Sequence, residues 1–493
     1  MGLRGKAMRS SLLLTMSEGI VYGSSFIRNM ILARMLTKAD FGIAAAFAMV
    51  TTLLEFNARL GVSRFVIRDK DGADPEFIAS AHLMQFLVAV FSAALIAVAS
   101  GPLAGLFGLE NQHGAMLCLA LIPLFRGLEH LDIRRFEREL RFGPSAMVEM
   151  VPQVVITLAA WPLAKWLGDY RAMLILLIAK TGLSTLASHW VAERSYQWRT
   201  HRSHMKRMMQ FGWPLLVNGF LMFGVLHGDQ FLVATYYTMD DLGPYAAAAA
   251  LVMMPTFFFG RIFNSIMLPL VAKVQDDPVA FRRRYRQAMG VISIFSACCA
   301  VGLVIGAEAI MRLVYGPKYV GTGVILACLA IANAFRNIRI APALAAIAKG
   351  NSQNQMYSNL LRVVALIPAL ILALQGKPVW MLATTGLIGE VLSCAWSFHN
   401  LRKREGIALA DSLVPLGWVA ACVAGAVGVY FAGAHQWGII GSLATAAGGA
   451  LIAGAWMVMV LPELRHETAR LAQTVSSGGW RALKLPGLAR RAP

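Results

Sequence analysis

Apolar runs of about 20 to 30 residues alternate with short polar stretches along almost the whole chain. A helix of roughly 20 apolar residues crosses the ~30 Å hydrocarbon core of a bilayer, so each run reads as a membrane span. The pattern predicts spans near 11–36, 39–62, 79–104, 112–131, 144–168, 171–191 and 208–237. It continues with 241–271, 287–315, 319–342, 355–376, 378–400, 412–433 and 437–461. Several predicted ends carry Gly-Pro pairs, as at Gly101-Pro102, Gly143-Pro144, Gly243-Pro244 and Gly316-Pro317, where helices tend to stop or start. The expected fold class is an all-α integral membrane protein of about 14 transmembrane helices.

Basic residues mark every second loop. Arg4, Lys6 and Arg9 precede the first span; Arg64, Arg68 and Lys70 follow the second; Arg134, Arg135, Arg138 and Arg141 follow the fourth. Arg194, Arg199, Arg202, Lys206 and Arg207 follow the sixth, and Arg282, Arg283, Arg284 and Arg286 the eighth. Lys349 follows the tenth, Arg402, Lys403 and Arg404 the twelfth, and the tail is basic again. Lys and Arg accumulate on the cytoplasmic side, so both termini are expected there. The first span is too long and polar for a signal peptide, with Glu18 and Arg28 inside it, and reads as uncleaved. The tail beyond Pro462 reads equally as an amphipathic surface segment or as unstructured chain.

Composition sharpens this picture. Of 493 residues, 57% are hydrophobic and 14% charged, against about 25% charged in soluble domains. The net charge of +19 is spread in short bursts between spans. That placement suits anionic membrane lipids rather than nucleic acid, which is not an expected partner. All six cysteines lie in apolar runs without ligand spacing, so neither a disulfide framework nor structural zinc is expected.

An internal repeat organises the spans. A shift of 201 positions brings Ala33 onto Ala234, Thr37 onto Thr238, Asp40 onto Asp241 and Gly42 onto Gly243. Both copies fall at the turn between the first and second spans of a six-span block. Thr and Asp there cap a helix, and Gly permits a tight turn. The repeat predicts a six-helix lobe at 1–200, a second at 201–405, two extra helices at 406–462 and a basic tail at 463–493. An even number of spans per block makes the copies like-oriented, an arrangement suited to alternating access.

No phosphate-binding G-x-x-x-x-G-K-[ST] loop and no HExxH motif occurs, so neither ATP hydrolysis nor zinc chemistry is expected, and no cofactor is implied. Asp69-Lys70-Asp71 has a D-x-D spacing but stands alone in a short basic loop, where a solvated charge run is the simpler reading.

Ionisable groups inside spans are costly and are therefore candidates for function. The candidate cavity residues are Glu18, Arg28, Asn29, Glu55, Arg59, Lys180, Asn218, Asp229, Arg261, Asn333, Arg336, Arg339, Arg362 and Glu390. Glu18, Tyr22, Ser25 and Asn29 form a polar stripe on the first span. Glu55 and Arg59 are spaced for a local ion pair, and Asp229 is the repeat counterpart of Arg28. That pair is expected to face a central cavity from the two lobes. Arg59, Arg261, Arg339 and Arg362 lie near span ends, from which long side chains also snorkel to headgroups. His227 and His130 have the chemistry to titrate near neutral pH, but a lone helical histidine serves equally as a structural hydrogen bonder.

With repeat and loops placed, the chain resembles the polysaccharide-transport (oligosaccharide flippase) branch of the multidrug/oligosaccharidyl-lipid/polysaccharide exporter superfamily. The resemblance rests on Leu32-Ala33-Arg34-Met35-Leu36-Thr37-Lys38-Ala39-Asp40-Phe41-Gly42, then Leu60-Gly61-Val62-Ser63. It continues through Phe211-Gly212-Trp213-Pro214-Leu215-Leu216, Leu242-Gly243-Pro244-Tyr245, and Pro269 with Gln275-Asp276-Asp277-Pro278. It covers the first twelve spans. It implies two six-helix lobes around a partly cationic cavity that takes an undecaprenyl-pyrophosphate-linked oligosaccharide from the inner to the outer leaflet. A polysaccharide polymerase and export machinery are the partners it implies. The competing expectations are a multidrug or cation exporter of the same superfamily, favouring acidic cavity residues, and a membrane glycan polymerase, favouring a large outward loop.

Overall fold

The computed structural model describes residues 3–59, 61–351, 353–433 and 437–461, with backbone alone at 3–15, 54–59 and 214. The basic tail expected at 463–493 lies outside the described residues, as do the side chains of Glu55 and Arg59. Every described element is helical.

The helices are α1 (Leu3–Met35), α2 (Lys38–Arg59), α3 (Val62–Arg68), α4 (Pro75–Leu106), α5 (His113–Cys118), α6 (Leu121–Gly127) and α7 (Asp132–Arg138). Next come α8 (Gly143–Leu167), α9 (Arg171–Val191), α10 (Arg202–Tyr236), α11 (Met239–Ala272), α12 (Pro278–Ile305) and α13 (Ala307–Tyr315). The chain closes with α14 (Gly323–Ile338), α15 (Ile340–Ala348), α16 (Gln353–Val364), α17 (Leu366–Leu374), α18 (Val379–Glu405), α19 (Ala410–Phe431) and α20 (Gly438–Val460).

The chain is an all-α membrane protein. Among the described residues, 11 helical stretches are long and apolar enough to cross a bilayer, or 12 if a pair bent by 55° counts as one span. The number expected from the sequence, about fourteen, is not reached by this measure. The helices α1 and α2, of 33 and 22 residues, are long enough to cross but include stretches described by backbone alone. The fourth expected span is the bent pair, Glu110–Gly127 followed by Asp132–Arg138.

Local chemistry explains the helix starts. Asp74 accepts a hydrogen bond from the Glu76 amide ahead of Pro75, and Asp277 accepts from the Val279 and Ala280 amides ahead of Pro278. An acidic cap followed by proline at the first helical position satisfies free amides and presets the backbone. This is why α12 begins at Pro278 rather than near 287, where apolar patterning alone placed it.

Packing divides the chain into two units. Unit 1 comprises Met1–Ile262, Ile310–Leu329 and Asn359–Gly389; unit 2 comprises Phe263–Ala309, Ala330–Ser358 and Glu390–Pro493. In unit 1, α1 packs along α8, α8 along α9, and α10 against α2. In unit 2, α19 and α20 both pack along α12.

The repeated turns meet inside unit 1. Thr37 donates to the Asp40 carboxylate and accepts from the Asp40 amide at 3.0 Å. Thr238 donates to Asp241 at 2.7 Å and accepts from its amide at 3.2 Å. The two turn glycines then touch reciprocally: a Cβ on Gly42 would lie 2.1 Å from the Met239 carbonyl oxygen, and one on Gly243 would lie 2.2 Å from that of Lys38. Backbone meets backbone there, and any larger residue must push the turns apart. Arg34 donates to the Leu313 and Val314 carbonyls, and Lys318 to that of Leu36, lashing the same end of α1 to the end of α13.

Candidate functional site

A polar cavity of about 380 Å³ opens within unit 1. One turn of α1 supplies Glu18, Val21 and Tyr22; α8 supplies Val148 and Glu149; α9 supplies Lys180, Thr181 and Ser184. Arg126 comes from the end of α6, Glu129 from the link after it, and Arg261 from α11. The spacings are those of single helix faces, so each helix turns a polar stripe inward. Thr157 of α8 donates to the Ser24 carbonyl of α1 at 3.1 Å, fixing one stripe against the other. Gln85 donates to the carbonyls of Arg126, Gly127 and Glu129 at 3.0, 3.3 and 3.0 Å. That fork holds the end of α6 and aims Arg126 and Glu129 at the cavity.

Three cations and three carboxylates line this space. Arg261 pairs with Glu18 across it, with the Arg261 side chain 52% exposed and that of Glu18 16%. Glu129 also lies 3.6 Å from Arg134. A partly solvated ion pair is worth only about 0–1 kcal/mol, so an incoming anion can take the guanidinium at small cost. The wall is therefore balanced in charge rather than predominantly cationic.

A smaller chamber of about 230 Å³ lies further along α1 and α11, toward the repeated turns. Its polar lining is Asn29, Thr52, His227 and Gln230, and among the described residues no charged side chain lines it. The rings of Tyr22 and Phe257 stack with centroids 6.3 Å apart. Tyr22 lines the charged cavity and Phe257 the neutral chamber.

The other expected residues fall elsewhere. Arg28 is buried, folded onto Ser25 and Asn29 at 3.4 and 3.1 Å. Asp229 accepts from the Tyr245 hydroxyl at 2.7 Å and from the Gln230 amide at 2.8 Å. Neither lines the two cavities. Asn218 is exposed on α10 and Arg362 is buried in α16. In unit 2, Glu390 is 2% exposed between two guanidinium groups, 2.7 Å from Arg336 and 3.7 Å from Arg339. Arg339 donates onward to Ser358 at 3.3 Å, and Asn333 and Asn337 are buried on the same helix as Arg336. His130 accepts from the Asp132 amide at 3.1 Å and packs against the rings of His82, His189 and Tyr196.

Arg126, Glu129 and Glu149 are cavity residues that the span-by-span reading did not single out. A signal existed: Ser145, Glu149, Gln153 and Thr157 recur every fourth position along α8. Arg126 and Glu129 carried one too, as ionisable groups inside the expected fourth span, 112–131, although they lie toward its end.

A family model described as polysaccharide biosynthesis protein matches residues 31–324. The chain belongs to the polysaccharide biosynthesis protein family. The resemblance read from the repeated turns is thus borne out, and the matched stretch contains both repeated turns and most of the lining of both cavities, with Glu18, Val21, Tyr22 and Asn29 lying before it. The lipopolysaccharide biosynthesis protein WzxC of Escherichia coli (strain K12) is 21% identical over 384 residues, 76% of each chain. Among solved structures, the lipid II flippase MurJ in an inward closed conformation superposes with a TM-score of 0.71 at 14% identity, covering 91% of this chain and 99% of that one. An inward-facing multidrug transporter of the MATE family gives 0.63 at 11% identity, covering 82% and 94%. A fold shared by glycolipid and drug carriers does not choose between them. This member of the family shares its fold with those transporters.

Proposed function

We propose that this polysaccharide biosynthesis protein is a lipid-linked oligosaccharide flippase of the bacterial inner membrane. Its substrate is an undecaprenyl-pyrophosphate-linked glycan, moved from the inner to the outer leaflet for surface polysaccharide biosynthesis. The observation that carries this reading is the charged cavity, where Arg126, Lys180 and Arg261 converge on one space inside a protein of this family. A pyrophosphate recruits cations that form charge-assisted hydrogen bonds, and a guanidinium fork matches its oxygens. The half-exposed Arg261 is the cation most easily surrendered by its carboxylate partner. The like-oriented six-helix repeats, 1–200 and 201–405, then rock to expose that space to alternate sides, with both termini cytoplasmic. Polymerase and export machinery take the product on the far face.

The test is glycan display in cells whose own flippase is deleted, with lipid-linked intermediate quantified on the inner face. The wild-type chain restores display, whereas Lys180→Ala and Arg261→Ala accumulate intermediate at normal protein level. A wild type that leaves display absent but confers dye resistance makes the chain a drug exporter. Normal export by both variants removes the anion-binding role of the cavity.

A further inference from the structure

The two cavities differ in what they are able to hold. Ascending α1, Glu18, Tyr22 and Asn29 follow one another over three turns; descending α11, Arg261 and Phe257 lie one turn apart, with Ala250 and Ala246 beyond. The helices run antiparallel, so Glu18 meets Arg261 and Tyr22 meets Phe257 at successive levels. Beyond the aromatic stack lies the neutral chamber, and beyond that Phe41 packs on Tyr315 with centroids 6.5 Å apart, next to the Gly42–Gly243 contact. The charged cavity and the chamber are thus consecutive stations along one pair of helices, separated by two rings.

The chamber is unsuited to the pyrophosphate. Two described ionised groups on its helices are turned to other partners, Arg28 to Ser25 and Asn29, and Asp229 to Tyr245. It is equally unlike a lipid groove, because amide, hydroxyl and imidazole groups interrupt its Ala, Met and Phe walls. Gln230 lines the same wall one turn along α10 from His227, and the buried Nδ1 of His227 has no hydrogen-bond partner among the described residues. Buried polar atoms are almost always paired, so an orphaned ring nitrogen in the wall of a cavity asks for a ligand atom. At about 230 Å³ the chamber falls below the ~300 Å³ floor for drug-sized ligands. It takes a single ring, not an oligosaccharide.

We infer, on the strength of the glycan-carrier reading, that this chamber is a second binding site, for one uncharged sugar ring of the substrate. A pyranose presents hydroxyls around its rim and an apolar C–H face. Asn29, Gln230 and His227 offer the amide and imidazole groups for the first; Phe257, Met253 and the alanines offer the wall for the second. The Tyr22–Phe257 stack then acts as the threshold a sugar crosses while its charged end stays with Arg126, Lys180 and Arg261. Specificity for the glycan resides in the chamber, and affinity for the lipid-linked end resides in the charged cavity.

The test uses the full chain in lipid nanodiscs, with methyl glucoside, methyl galactoside and N-acetylglucosamine as probes and saturation-transfer NMR as readout. A lone ring has few atoms, so binding at about millimolar strength is expected for at least one sugar. Gln230→Ala weakens it roughly tenfold, the worth of about one good hydrogen bond, and Ala250→Leu, which fills the chamber, abolishes it. Melting temperatures confirm that both variants fold. Inorganic pyrophosphate is titrated in parallel. Pyrophosphate binding with no sugar binding overturns the chamber and leaves the carrier reading intact. Sugar binding that survives both variants places the ring elsewhere and overturns the inference, as does a chamber that takes a hydrophobic amine but no sugar. Failure of pyrophosphate to bind strikes the carrier reading instead.

Discussion

Glu18 in unit 1 and Glu390 in unit 2 are both carboxylates embedded in spanning helices and paired with arginine, yet their surroundings differ. Glu18 faces a cavity of about 380 Å³, and its partner Arg261 is half exposed. Glu390 is 2% exposed and lies between Arg336 and Arg339 with no comparable opening among the cavities described. The first pair is open to solvent on the Arg261 side, which on the proposed function is the half that an incoming anion reaches. The second is largely buried on the carboxylate side, and removing either sign strands the other in a medium that solvates it poorly. Charge inside a span therefore has two uses here, and room around the group decides which. On the proposed function, the same residue types inside spanning helices serve as a binding surface in one place and a helix fastener in the other.

The strongest way to break this comparison is to remove the buried acid. Glu390→Gln leaves two guanidinium groups uncompensated and is expected to cost about 3–5 kcal/mol. Thermal melting in detergent and steady-state protein level read the loss. A variant that accumulates and melts like the wild type makes Glu390 an exchangeable group like Glu18.

A backbone seam offers the next effect. Gly42→Ala puts a methyl carbon against the Met239 carbonyl and, as overpacking, is expected to cost about 1–3 kcal/mol. Gly105→Ala, where a Cβ meets nothing within 4 Å, is the control and should melt no lower than the wild type. Equal melting of the two variants shows that the repeated turns part freely.

Arg261→Ala should move stability by no more than about 1 kcal/mol, because its ion pair is half solvated, while glycan display falls. The split between an unchanged melt and lost transport is what separates it from Glu390. A large drop in melting temperature makes Arg261 a fastener after all.

The smallest effect belongs to carboxylates in the loops. Hydrogen bonds from Arg207 hold Asp71 below the usual carboxylate range, and those from Arg135 and Arg141 do the same for Glu193. A depressed pKa stabilises the fold above the unfolded value and is lost as pH falls through the folded one. Loop protection against protease should therefore hold at pH 7 and decline only below the ordinary Glu value of 4.5. Asp71→Asn and Glu193→Gln together should flatten that decline. A decline centred near pH 6 assigns it to histidines instead.

Much of this molecule is written in one dimension. Twenty apolar residues in a row admit few structures in a bilayer, because every backbone amide must be paired within its own helix. The spans, the polar stripe from Glu18 to Asn29 and the Thr-Asp capped turns were therefore legible in the sequence. The repeat was legible too, since identical turn chemistry recurs at one offset. The sequence did not say which helix faces meet. That Glu149 and Arg126 join Glu18, Lys180 and Arg261 around one space depends on how α8 lies along α1 and on the bend that ends α6 at Gly127. Whether an embedded Arg binds or fastens depends on the space beside it, which pattern does not encode. That Gly42 and Gly243 touch is likewise tertiary: the sequence marks each as a turn, but only packing brings their backbones together, at a distance no side chain permits.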